Sequence, residues 1–315
     1  MGTLMVSYLW PPLPEKDPKK LREKVLAALS GAWQNALDEQ DAILALRDTA
    51  PRVPYYRALE RVKRFQGSIK AFQDEVDAQA DDFLDMIAGE YARGAKHAAK
   101  CVGIGQVVWG NMNEYVFQSL ASDSYADLLK MSETAGKTSR EFAKIVRSQA
   151  AQTLWAAGTN ETAVQAGRRF WKKLEENRIA VVIYRDGSRH QVADYAGMVA
   201  RTKAKTAFNY GSLDVAESED VQYMEVVDGA NCGWDSHNSL DFADGSIRTL
   251  AECREYPLSH PNCKRSFIPV SRTLRREIRD AVRAEMEGDE DYEPALTIPA
   301  LERFKQRKER LGIGQ

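Results

Sequence analysis

The chain has 315 residues, 43% hydrophobic and 29% charged, a composition that excludes a disordered chain and leaves length for two ordinary domains, each with its own core. Lys and Arg total 44 against 46 Asp and Glu, and the formal net charge of −2 supplies no overall field that would draw the protein onto DNA or an anionic membrane. Four cysteines in this length do not make a disulfide framework, which leaves metal ligation or buried thiols as their uses in a reducing cytoplasm.

The opening, "MGTLMVSYLWPPLPEKDPKK", has no charged segment followed by an apolar one and a small-residue cleavage site, and Val6 breaks the myristoylation pattern. No apolar run approaches the roughly 20 residues that span a bilayer, so neither export nor membrane anchoring is expected. Helical spacing begins at "LREKVLAALSGAWQNALDEQDAILALR" and is interrupted by "TAPRVPYY". From Val62 the apolar residues Phe65, Ile69, Phe72, Val76, Ala80, Phe83, Ile87 and Tyr91 step by three or four, which predicts one stripe along one long helix. Such a stripe serves an intramolecular bundle or docks on another chain.

"GEYARGAKHAAKCVGIGQVVWG" follows, rich in small residues. Gly103, Gly105 and Gly110 do not make a dinucleotide loop, because no strand precedes them and the third glycine is misplaced. His97 and Cys101 lie four apart and share one helical face, but without a second pair nearby they are expected to be buried packing residues. More helix is predicted through "YVFQSLASDSYADLLKMSETAG", "TSREFAKIVRSQAAQTLWAAG" and "ETAVQAGRRFWKKLEENRI". The pattern then switches: "AVVIYRDGSRHQV" predicts a hairpin around Asp186-Gly187, "DYAGMVARTKAKTAFNYGSLDVAES" a helix, and "VQYMEVVDGANC" a strand. The class is α+β. After Pro269 comes a charged helical tail with an acidic interruption, read as solvated faces or as an arm reaching a neighbouring subunit or nucleic acid.

Residues 232–265, "CGWDSHNSLDFADGSIRTLAECREYPLSHPNCKR", hold three of the four cysteines and two of the four histidines. Four residues separate Cys232 from His237, two separate His260 from Cys263, and 22 lie between the pairs. Two short-range pairs of thiolate and imidazole donors, each on its own turn, are the pattern of a closed structural zinc site. Gly229, Gly233, Asp244-Gly245 and Pro261 supply the turns. Cys253 is a fifth candidate that could replace His237, and a metal-free knot of buried thiols fits the same residues.

The ordered pieces "DYAGMVART", "CGWDSH", "ADG" and "HPNCKRSFIP", spread over roughly residues 180 to 270, resemble the Mu protein F-like minor head proteins of tailed bacteriophages. "EYARGAKHAAK" and "SLASDSYADLL" resemble the helical amino-terminal parts of the actinophage versions. The resemblance implies a structural minor capsid protein in the head interior, bound in several copies at the portal protein, with the major capsid or scaffold protein and packaged DNA as further partners. It implies a knot at Cys232, His237, His260 and Cys263, although many members have Cys-x-x-Cys where this chain has Cys232 and His237. The expected organisation is a helical portal-docking region over 1–130, an α+β domain with the knot over 131–272 and a charged helical tail over 273–315.

Enzymatic patterns are weaker. Ser236-His237 and Ser259-His260 adjoin but lack a Gly-x-Ser-x-Gly elbow, so a maturation protease is a lesser alternative. Glu285 and Glu287 offer the acidic pair of a transferase without a neighbouring sheet, and Asp235 or Asp241 could serve zinc hydrolysis only if the metal shell were open. Arg201, Lys203, Lys205, Lys264 and Arg265 could line a basic face for nucleic-acid phosphates, giving a DNA-binding zinc module as the runner-up, or could pair with neighbouring acids.

Overall fold

A computed structural model describes residues 16–48, 54–105, 107, 111–155, 163–176, 182–183, 189–190 and 192–270. These residues form α1 (Pro18–Leu44), a 3-10 turn (Ala45–Asp48), α2 (Pro54–Ala78), α3 (Ala80–Val102), α4 (Asn111–Trp155), α5 (Ala163–Glu176), strands β1 (Val182–Ile183) and β2 (Arg189–His190), α6 (Val192–Ser218), β3 (Tyr223–Val227), β4 (Ile247–Thr249), α7 (Leu250–Glu255) and β5 (Ser266–Pro269). The α+β class holds: helices dominate, with a three-stranded antiparallel sheet in the order β4-β3-β5. No helix among the described residues is long and apolar enough to cross a membrane. The tail after Pro269, including Glu285 and Glu287, lies outside the described residues apart from Val270.

The chain divides into two compact units, with divisions inside α1, α3, α4 and α6. Among the described residues, one takes Lys19–Leu84 and Asp123–Val199, the other residues 16–18, Asp85–Ser122 and 200–270. The boundary expected at residue 130 falls within α4.

The first unit is a helical bundle. The stripe predicted from Val62 is buried at Val62, Phe65, Ile69, Phe72, Val76 and Phe83. It runs over two helices rather than one, with the break at Gln79. Backbone bonds from Gln79 to Glu75 and from Phe83 to Gln79, each 2.9 Å, carry the helical ladder across that residue, so the stripe keeps its phase. Trp33 of α1 meets Phe72 edge-on at 5.2 Å, and Phe65 meets Phe142 of α4 at 5.3 Å. Edge-to-face pairs of this kind contribute about 0.5–1.5 kcal/mol beyond their buried area. The hairpin β1–β2 is present, with Val182 opposite His190 and Ile183 opposite Arg189; its turn residues 184–188 lie outside the described set.

In the second unit α3 and α6 touch backbone to backbone. A Cβ at Gly94 would fall 1.8 Å from the Phe208 carbonyl oxygen, and one at Gly211 would fall 1.9 Å from that of Tyr91. Only glycine permits this approach. Across it Ser212 Oγ donates to the Gly94 carbonyl at 3.0 Å, and the Tyr91 hydroxyl donates to the Asp214 carboxylate. Arg254 of α7 completes the network, 2.7 Å from Asp214 and 2.5 Å from Glu217. The apolar side of the sheet, Met224, Val226 and Phe267, packs with Leu213, Ala216, Val221, Trp234, Ala243 and Cys253. Full burial of a side chain such as Met224 or Phe267 contributes about 1.5–3 kcal/mol.

Candidate metal centre

Strand pairing explains how two distant sequence pairs meet. β3 and β5 run antiparallel with Met224 opposite Pro269 and Val227 opposite Ser266. The next residue beyond β3 is Asp228 and the one before β5 is Arg265, so both chain ends leave the sheet side by side. Each then makes a four-residue turn ending in cysteine. The Cys232 amide donates to the Gly229 carbonyl at 2.9 Å, and the Cys263 amide to the His260 carbonyl at 3.1 Å. In "HPNC" proline occupies the second turn position and Asn262 the third with φ of 63°, the left-handed geometry a type II turn requires. The sequence His260-Pro261-Asn262-Cys263 therefore fixes its own two donors as the ends of one turn.

Cys232, His260 and Cys263 converge, with their ligand atoms within 4.8 Å of one another. Both thiols are buried and free, and their sulfurs lie 3.9 Å apart. A tetrahedral zinc site with Zn–S bonds of about 2.3 Å separates two sulfurs by about 3.8 Å, so the donors present fit such an ion. His260 Nδ1 donates to the Pro261 carbonyl at 2.7 Å, which leaves the Nε2 lone pair as the ring's metal-binding position. Burial pushes the Cys232 thiol up to about 11, with a hydrogen bond from Ser259 acting against that rise and the neighbouring Asp228 adding to it. A metal ion entering this site displaces thiol protons.

The two other ligand candidates stand differently. His237 is exposed, and its ring meets that of His260 edge-on at 4.6 Å between centroids; it adjoins the three converging residues without belonging to the group. Cys253 is not a ligand in this arrangement. It projects from α7 into the apolar core, where burial pushes its thiol up to about 12.

Arg265, for which the sequence left open a phosphate contact or a pair with a neighbouring acid, makes the second and organises the knot. Arg265 is fully buried: Nε binds the Asp228 carboxylate at 3.0 Å, Nη1 donates to the Trp234 and Tyr256 carbonyls and Nη2 to that of Gly233, each at 2.9 Å. Asp228 also accepts from the Gly229 amide at 2.7 Å and lies 3.5 Å from the Cys263 sulfur. The guanidinium carbons of Arg265 and Arg248 each lie 4.5 Å from the Trp234 ring. Arg265 is thus removed from the proposed nucleic-acid face, because its donors are spent inside the fold.

The remaining cations of that face are partly committed. Arg201 donates through Nε to Asn262 at 2.8 Å, and Lys205 reaches Ser266 Oγ at 2.5 Å with its ammonium 4.9 Å from the Phe208 ring. Burial pulls the Lys205 ammonium below its usual range. Lys203 is half-buried and Lys264 exposed. Arg201 and Lys205 belong to α6, which also grips the knot through Asn209, whose amide donates to the carbonyls of Pro257 at 2.8 Å and Arg265 at 3.0 Å. Thr202 Oγ1 accepts from the Asn262 amide at 3.1 Å.

Neither serine that suggested a hydrolase is arranged as a nucleophile beside a histidine base. Ser236 Oγ donates to Asp235 at 3.2 Å, and Ser259 Oγ lies against the two cysteine sulfurs. His97 and Cys101 of α3 share a face as predicted, with Nε2 and Sγ 3.9 Å apart, but both are exposed rather than buried, the His97 ring lying 5.8 Å from that of Phe208 at the edge of the α3–α6 contact.

Asp228, Asn209 and the burial of Arg265 escaped the sequence reading, which took Ser259 only as a candidate nucleophile; the Asp-Gly turn signal at 228–229 was the available pointer to the first. No family model, curated protein or solved structure matches the chain.

Proposed function

We propose that this chain is a structural minor head protein of a tailed bacteriophage, of the Mu protein F-like kind, whose small α+β portion is stapled by zinc. The observation that carries the proposal is the convergence of Cys232, His260 and Cys263, because it joins the two motif pieces, "CGWDSH" and "HPNCKR", that also carry the resemblance. Cys232, Cys263 and His260 would hold the ion, with His237, beside His260, as the candidate fourth donor. When bound, zinc supplies a cross-link between the segment after β3 and the segment before β5, and no reaction is assigned to it. Asp228 and Arg265 hold the two segments in register, and Asn209 ties them to α6.

In this account the helical part docks on the portal protein inside the head, with several copies around it, and the chain assists head assembly or DNA passage. The host cytoplasm is its location during assembly. A DNA-binding role is less well supported, since Arg265 is buried and Arg201 and Lys205 are engaged within the fold.

Co-purification of the full chain with the portal protein of the same phage, with zinc measured on the complex, tests the proposal. A stable complex with about one zinc per copy supports it. Failure to bind the portal, together with salt-sensitive binding to DNA, would replace it with the DNA-binding reading.

A further inference from the structure

Ser259 immediately precedes His260, and its hydroxyl oxygen lies 3.0 Å from the Cys232 sulfur and 3.6 Å from the Cys263 sulfur. With both cysteines protonated, either partner of each contact can donate. A metal-bound sulfur has no proton, and then only the serine can.

We infer that Ser259 is a positioning residue for the metal, donating its one hydroxyl hydrogen to the nearer ligating sulfur, that of Cys232, and so fixing its orientation and moderating its charge. The inference rests on metal occupancy of the group proposed above. The surroundings favour a dedicated donor. Both cysteines are buried, so water is poorly placed to solvate thiolate charge. The acidic neighbour of Cys263, Asp228, can only accept when ionised and is already paired with Arg265. A donor held next to a ligand atom raises affinity without touching the ion, and loss of such partners in other metal sites costs about 10–100-fold in affinity.

The role also accounts for a serine that adjoins a histidine without forming a catalytic pair. Its hydroxyl is aimed at sulfur.

Cobalt(II) titration of the full chain reads both affinity and the sulfur-to-cobalt charge-transfer band, and zinc competition extends the affinity to zinc. Ser259→Val and Ser259→Thr are matched in shape and differ in the hydroxyl. The valine variant is expected to bind cobalt at least about tenfold more weakly. Its charge-transfer band moves to longer wavelength, because sulfur lone pairs rise in energy when a hydrogen bond is withdrawn. The threonine variant restores both. A merely structural serine would not move the band in the metal-loaded protein. If valine and threonine bind alike and show the same band, the Ser259 role is overturned while the metal site stands. If the unaltered chain binds neither cobalt nor zinc, the metal reading fails and takes this inference with it.

Discussion

Asp228 and Arg265 form a fully buried ion pair, Nε to Oδ2 3.0 Å, at the position directly beyond the last paired residues of β3 and β5. The pair joins two chain segments 37 residues apart in sequence and lies within 3.5 Å of a candidate metal ligand through Asp228. Its guanidinium also occupies three backbone carbonyls that no other described side chain is shown to satisfy. Removing either partner leaves an uncompensated buried charge.

Arg265→Ala and Asp228→Ala are each expected to destabilise the protein by about 3–5 kcal/mol, read from denaturant midpoints. Arg265→Lys should not rescue, because an ammonium cannot reproduce the forked contacts to Gly233, Trp234 and Tyr256. The double variant should lose markedly less than the sum of the singles. Additive losses would show that the two residues act independently.

The glycine contacts between α3 and α6 make a contrasting pair of predictions. Gly94→Ala and Gly211→Ala must push the helices apart and should cost about 1–3 kcal/mol or more by overpacking. Gly31→Ala, in α1 with no atom within 4 Å of the new methyl, should stabilise by about 0.5–1 kcal/mol through helix propensity. Thermal melts of the three variants check both signs, and a neutral Gly94→Ala and Gly211→Ala would disprove the close approach.

Cys253 gives a pH dependence with a defined direction. Its folded thiol is raised from 9.0 to about 12 by burial, so the unfolded chain releases this proton first as the solution becomes alkaline. The contribution is fully present below pH 9 and is lost as pH rises from there toward 12. Unfolding free energy should therefore fall more steeply between pH 9 and 11 in the unaltered chain than in Cys253→Ala. The same variant should leave metal binding intact, which a denaturation series with and without zinc would reveal; equal pH slopes would mean that this thiol is not held neutral by the core.

Ligand substitutions should rank by position. Cys232→Ala, His260→Ala and Cys263→Ala are each expected to abolish the rise in melting temperature that zinc gives the unaltered chain, because their donor atoms already converge. His237→Ala should weaken that rise rather than abolish it, as water can fill the position of an exposed fourth donor. Cys263→Ala should leave the helical bundle formed, with circular dichroism near its original intensity. If His237→Ala matched Cys263→Ala, the fourth donor would be as indispensable as the three that converge.

Much of this was legible in the sequence because the signals are local. The stripe from Val62 kept its helical phase, the strand read in "VQYMEVVDGANC" became β3, and Pro261 marked a turn where one is found. The pairing of β3 with β5 was not legible, since it joins segments about 40 residues apart and β5 has only four residues. That pairing decides which donors meet, and it separates Cys253 from Cys232, His260 and Cys263. Of the two readings open for Arg265, a phosphate contact or a pair with a neighbouring acid, the structure has the pair with Asp228; its burial was not legible, because a Lys-Arg step carries the same letters whether the arginine faces solvent or fills a pocket of carbonyls. The close approach of α3 and α6 at Gly94–Phe208 and Gly211–Tyr91 is likewise encoded by no periodicity within either helix.

The proposed zinc staple requires the Cys232–His260–Cys263 group to hold one ion per chain. Native mass spectrometry of the full chain, purified without added chelator and compared with Cys263→Ala, tests it most directly. The account expects one zinc per chain in the unaltered protein and none in the variant. A metal-free unaltered chain that also fails to take up added zinc, with its thiols intact and reduced, would contradict it.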